Sequence, residues 1–111
     1  MSVHCQVEHA MDDQRRVAAF VETHDLECDP EYRLLDLVSE VGELAKEVNE
    51  STDYGSKPDD LEVATDEVGD AYFALLAAAD SLDIDVGEAL EVALEKYRGR
   101  LETAETPGSG E

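Results

Sequence analysis

Tryptophan is missing from this sequence, and the other aromatics are few: four tyrosines and two phenylalanines. Cysteine is nearly missing as well. Cys5 and Cys28 are isolated thiols without C-x-x-C spacing, so no disulfide framework or redox motif is visible, and a reduced cytosolic protein is the default. No apolar run approaches membrane-spanning length, and the N-terminus lacks a signal-peptide core, so the expected location is cytoplasmic. Basic residues are scarce: 8 against 29 acidic ones, for a formal net charge of -21. That charge repels nucleic-acid backbones and anionic membranes, which argues against a polymer-binding module. A polyphosphate could bind only with metal ions to offset the repulsion.

What is present is a clear apolar periodicity. The 111 residues suit one domain, expected over residues 1–102, with a disordered tail over residues 103–111 that ends Thr106-Pro107-Gly108-Ser109-Gly110-Glu111. High charge with few aromatics can signal disorder. An apolar fraction of 42% in periodic order favours instead a folded, salt-adapted (halophilic) surface whose self-repulsion is screened at high salt.

The periodicity predicts an all-α protein of about four helices, with no strand-like alternation and no internal repeat. The first helix covers residues 9–24, with Met11, Val17, Ala18 and Val21 on its apolar side. The second follows Asp29-Pro30, an N-cap and N1 pair, and carries Leu34, Leu37, Val38, Val41, Leu44, Ala45 and Val48. Residues 51–58 form a loop, and the third helix starts near Asp59, where Glu62 completes a capping-box pattern. It runs to about Ser81 through Leu61, Ala64, Val68, Ala71, Tyr72, Leu75, Ala79 and Leu82. Asp85 caps a fourth helix that buries Ala89, Val92, Ala93 and Tyr97. Short connections predict an antiparallel helical bundle. Leu75 and Leu76 point in different directions on a chain too short to bury both faces, which predicts self-association.

The residues that carry chemistry are acids. Glu40-Val41-Gly42-Glu43 and Glu67-Val68-Gly69-Asp70 are near-copies of one pattern. Positions i and i+3 lie about 60° apart on a helix, so each pair presents two carboxylates side by side. In both helices the apolar stripe lies on the same side of the acid pair, so packing the stripes together brings four carboxylates to one rim. Such a group repels unless cations sit among it. Mg²⁺ prefers oxygen ligands and keeps positions for water or phosphate, as metal-assisted phosphoryl chemistry requires. Glu47 extends the face by one turn as a further candidate ligand. Gly42 and Gly69 each cost about 1 kcal/mol of helix stability relative to alanine, which points to close helix packing or close ligand approach. In a chain this acidic, i and i+3 pairs also arise by chance: Glu88 with Glu91 reads as a solvated face.

At these positions the chain resembles the MazG-like all-α nucleotide pyrophosphohydrolases, whose signature is E-x-x-E followed after an interval by E-x-x-D. The similarity extends over Leu35-Asp36-Leu37-Val38-Ser39-Glu40-Val41-Gly42-Glu43-Leu44, over Asp66-Glu67-Val68-Gly69-Asp70-Ala71, and over a closing helix with Glu95-Lys96-Tyr97 and Arg100. The resemblance implies a bundle assembled as a homodimer or homotetramer. It implies Mg²⁺ held by Glu40, Glu43, Glu67 and Asp70, water attack on the α-phosphorus of a nucleoside triphosphate with release of pyrophosphate, and a role in housecleaning of the nucleotide pool. Many relatives carry a lysine where Asp36 stands, which leaves Lys96 and Arg100 as the matching phosphate contacts; cations near a helix C-terminus also simply favour the macrodipole.

Two other readings stay open. One is a non-catalytic acidic helical interaction or regulatory module. The other is a related all-α fold acting on phosphoribosyl-ATP. His4 and His9 beside Cys5 are a weak metal cluster at irregular spacing.

Overall fold

The computed structural model describes the backbone of residues 3–103 and the side chains of residues 12–103. Residues 104–111 of the expected tail, and the side chains of His4, Cys5, His9 and Met11, lie outside the described residues. The architecture is an all-α helical bundle: α1 (Val3–Thr23), α2 (Pro30–Ser51), a short 3₁₀ turn (Pro58–Asp60), α3 (Thr65–Ser81) and α4 (Val86–Glu102). No described helix is long and apolar enough to cross a membrane.

α2 and α3 form an antiparallel hairpin. Near the loop Glu47 meets Ala64, and further along Glu40 meets Glu67 and Asp70. α1 lies against α3, and α4 leans mainly on α1. The alanine run of α3 makes this possible, because small side chains let helices approach from two sides. Ala74, Leu76, Ala77, Ala78 and Ala79 are buried, and Val21 joins them from α1. Leu76 is 1% exposed and its neighbour Leu75 is 45% exposed, so α3 does present two different faces. Gln14 pins the α3–α4 turn to α1: its side-chain amide donates to the Ile84 carbonyl at 2.7 Å, and its oxygen accepts from the Val86 amide at 2.9 Å.

The helix ends depart from the sequence pattern in instructive ways. α1 begins at Val3 rather than His9. Asp29 is the N-cap of α2, although its side chain makes no capping hydrogen bond. Asp85 does cap α4, accepting from the Glu88 amide at 2.9 Å. The expected capping box at Asp59 and Glu62 does not form. Residues 61–64 instead form no helix, and α3 starts at Thr65 with Ala64 as an extended N-cap. Tertiary partners explain the delay: the Glu62 amide donates to Ser51 Oγ at 3.0 Å, and the Ala64 amide donates to Glu47 Oε1 at 2.8 Å. These bonds satisfy amides that a local cap would otherwise serve. In the intervening loop the buried Thr52 hydroxyl donates to the Val48 carbonyl at 2.6 Å and accepts from the Gly55 amide at 3.0 Å. Gly55 has φ +90, a conformation that glycine adopts without strain.

Burial is also thinner than the apolar pattern implies. α2 has no buried residue, and neither has α4. On α4, Ala89, Val92 and Tyr97 are exposed and Ala93 is only half-buried, because among the described residues α4 is covered mainly by α1. On α2, Leu37 and Leu44 are half-buried toward the hairpin partner, while Leu34, Val38, Val41, Ala45 and Val48 stay exposed.

Candidate active site

The hairpin builds the centre. Glu40 on α2 and Glu67 and Asp70 on α3 each offer a carboxylate oxygen, and the three oxygens lie within 4.8 Å of one another. Glu40 and Glu67 are half-buried and Asp70 is exposed, so the group sits at a rim of the α2–α3 interface. The crowding has an electrostatic signature. Burial raises the pKa of Glu40 above its ordinary 4.5, and the charges of Asp70, Asp36 and Glu43 add to it. Glu67 is raised in the same way, first by burial and then by Glu47, Asp66, Asp70 and Glu43. Both shifts disfavour the ionised form, as expected for carboxylates packed together without a compensating cation.

Glu67 carries a second mark. Its Oε2 is buried and has no hydrogen-bond partner. A buried carboxylate oxygen left unpaired is costly and rare, and a cation is one of the few groups that resolves it. The donors are all carboxylate oxygens, a hard set that suits Mg²⁺ over softer metals. The residues present therefore fit a hard divalent ion.

The other sequence candidates fall into place around this trio. Glu43 is exposed and outside the tight group, yet close enough for its charge to act on both Glu40 and Glu67. Glu47 lies one turn further along, with Oε1 engaged by the Ala64 amide. Lys96 and Arg100 flank Tyr97 on α4, Lys96 Nζ lying 5.2 Å and Arg100 Cζ 5.4 Å from the ring centre. α4 packs mainly on α1, and among the described residues neither cation forms an ion pair with a motif acid. Tyr97 is 45% exposed between the two cations and is not a core residue.

The motif glycines also gain a clearer meaning. A Cβ built at Gly42 or Gly69 meets nothing within 4 Å. Helix packing among the described residues therefore requires neither glycine. The sequence pattern also missed the contacts of α1 with this region. Tyr72, two residues past Asp70, donates its hydroxyl to Asp13 Oδ2 at 3.0 Å. Its phenol pKa is raised by burial and by that bond, which keeps the donor protonated. An aromatic so close to a motif acid was the available signal.

Fold and site together define an all-α protein whose central helical hairpin carries a crowded carboxylate centre. The family model for the MazG nucleotide pyrophosphohydrolase domain matches residues 29–104, and the chain belongs to that family. The match takes in α2, α3 and α4, the hairpin with both acid motifs included. The chain is also similar to the "Uncharacterized protein YpjD" of Bacillus subtilis (strain 168), at 41% identity over 68 residues, which is 58% of this chain and 60% of that protein. No solved structure matches the chain.

Proposed function

We propose that this protein hydrolyses a nucleoside triphosphate to the monophosphate and pyrophosphate, with Mg²⁺ held by Glu40, Glu67 and Asp70 and with Glu43 beside them. The observation that carries this reading is the trio of carboxylate oxygens within 4.8 Å, one of whose members keeps a buried, unpartnered oxygen. Family membership supplies the reaction class.

In the reaction a water oxygen bonds to the α-phosphorus while the bond from that phosphorus to the bridging oxygen breaks. Pyrophosphate leaves with the electron pair, and the water gives up a proton. When bound, Mg²⁺ supplies charge neutralisation at the phosphates and acidifies a coordinated water. The chain's own share is positional. α2 and α3 hold their acids at fixed separation, and the hydrogen bond between Glu47 and Ala64 fixes where α3 begins. Glu43, exposed and outside the tight trio, is free to accept the water's proton. A net charge of -21 would repel a polyphosphate without the cation, so binding and catalysis should share one metal requirement.

The working form in this reading is a homodimer or homotetramer, in which a second chain covers the apolar faces of α2 and α4 and brings Lys96 and Arg100 to a neighbouring phosphate site. Pyrophosphate release from a panel of common and modified nucleoside triphosphates, with and without Mg²⁺ in molar KCl, tests the proposal. Metal-dependent release of pyrophosphate is the expected result. Absence of turnover on every member, with Mg²⁺ shown to bind, would leave a non-catalytic acidic module.

A further inference from the structure

A groove of about 650 Å³ opens between α1 and α3. Phe20, Tyr72, Phe73 and Leu76 form most of its wall, with Asp13 and Gly69 also lining it. The rings of Phe20 and Phe73 meet edge to face with centroids 6.0 Å apart. Asp13 is held from two sides: the Tyr72 hydroxyl donates to Oδ2 at 3.0 Å, and Arg16 Nη1 lies 3.1 Å from Oδ1. The groove is thus aromatic and apolar, with one oriented carboxylate among its polar groups.

Gly69 connects this groove to the acid centre. It stands between Glu67 and Asp70 in the chain, and it lines the groove. Around α3, Phe73 lies about 60° from Asp70, and Gly69 follows in the same sense of rotation, so the helix surface runs from the carboxylates across to the groove. A Cβ at position 69 would project into open space, so the missing side chain keeps that path clear.

We propose that this groove is the nucleobase subsite, and that Asp13, oriented by Tyr72, selects a base carrying an exocyclic amino group. The inference rests on the triphosphate reading above. A nucleotide whose phosphates sit at the carboxylates has its base one sugar away. A base needs aromatic faces to lie against and a few fixed polar groups to read its edge. An ionised carboxylate only accepts hydrogen bonds. It rewards the amino group of cytosine and opposes the carbonyl that uracil carries at the same position, a repulsive as well as an attractive element of selectivity.

The test is equilibrium binding of the non-hydrolysable α,β-methylene analogues of CTP and UTP with Mg²⁺, by titration calorimetry on the full chain. The wild type should favour the cytosine analogue about tenfold, the net worth of one hydrogen bond. Asp13→Asn should bring that ratio close to one, because an amide presents a donor as readily as an acceptor. Tyr72→Phe keeps the ring and should lower the ratio partway; it serves if Asp13→Asn fails to fold. Gly69→Leu should weaken both analogues together while leaving binding of Mg²⁺ alone unchanged. A wild type indifferent to cytosine and uracil overturns the selectivity. Mg²⁺-dependent binding that ignores both Asp13→Asn and Gly69→Leu overturns the groove while leaving the pyrophosphohydrolase reading intact. A Gly69→Leu variant that instead changes the oligomeric state shows that a second copy fills the groove. If neither analogue binds although Mg²⁺ does, the functional reading itself falls, and this inference with it.

Discussion

Glu47 Oε1 accepts a hydrogen bond from the Ala64 backbone amide at 2.8 Å, so a side chain on α2 serves the residue that opens α3. Glu47 therefore has a structural task that a pure metal ligand would lack. Glu47→Gln keeps an acceptor oxygen and should hold the hairpin. Glu47→Ala leaves the amide without its partner and should cost about 1 kcal/mol, the net worth of a typical hydrogen bond. The measurement is denaturant unfolding without metal. Equal stability of the two variants would show that solvent serves the Ala64 amide equally well.

The motif acids should behave in the opposite way. In the metal-free protein Glu40 and Glu67 sit among like charges, and both are raised in pKa by burial and by those charges. Replacing Glu67 with Gln, or Asp70 with Asn, removes repulsion and should leave the metal-free melting temperature equal or higher. The same variants should lose turnover by on the order of 100-fold or more and bind Mg²⁺ more weakly. Glu88→Gln is the control, since Glu88 is exposed on α4. Wild-type turnover in all four of Glu40→Gln, Glu43→Gln, Glu67→Gln and Asp70→Asn would show that these acids are not the active centre.

A pH dependence follows from the same two shifts. Glu40 and Glu67 titrate higher in the folded chain than their ordinary 4.5. Below that ordinary value both states are protonated and the folded form keeps its full relative stability. As pH rises, the unfolded chain ionises first, and the folded chain loses stability until its own raised values are passed. The metal-free protein should therefore melt lower at pH 7 than at pH 4, and Mg²⁺ should reverse the loss at pH 7. Since the whole acidic surface pushes the same way, the informative quantity is the difference between wild type and Glu67→Gln. A difference that does not change with pH would contradict the raised pKa of Glu67.

How much of this was legible in the sequence depends on how local its cause is. The doubled acid motif was readable because i and i+3 spacing fixes two side chains on one face whatever surrounds them. The residue order from Asp83 to Glu88 announced the start of α4, since Asp85 caps the helix through a bond to a residue three positions on. The start of α3 was not readable. Its amides at Glu62 and Ala64 are served by Ser51 and Glu47, which are 11 and 17 residues away. The burial of α4 failed for a related reason: periodicity shows which face is apolar, but it cannot show what covers that face. The meeting of Tyr72 with Asp13 spans 59 positions and left no periodic trace.

Salt should stabilise the fold. A net charge of -21 on 111 residues repels itself, and the range of that repulsion falls to about 3 Å at 1 M ionic strength. The few exposed pairs that salt would weaken, such as Arg15 with Asp12 and Arg98 with Glu95, are worth little individually. The thermal midpoint should accordingly rise from dilute buffer to molar KCl. A flat or falling curve would show that the acidic surface is not a salt adaptation.

Self-association is the last expectation, and α2 locates it. Leu34, Val38, Val41, Ala45 and Val48 follow one another at alternating intervals of four and three, the spacing of a helix-pairing seam. All five are exposed, and Val38 is 67% exposed. α3 uses a different side of α2, through Leu37, Glu40, Leu44 and Glu47, all half-buried. Among the described residues nothing covers the seam, and five apolar residues in a row along water mark a contact surface on a chain so charged. A second α2 packed against it would also set two acid centres close together, so assembly and metal binding should be coupled. Light scattering in molar KCl should find a dimer or tetramer at micromolar concentration. Val38→Asp with Val41→Asp should shift it to monomer without touching any motif acid. A wild-type monomer, or a double variant that still assembles, would show that the seam on α2 does not join two chains.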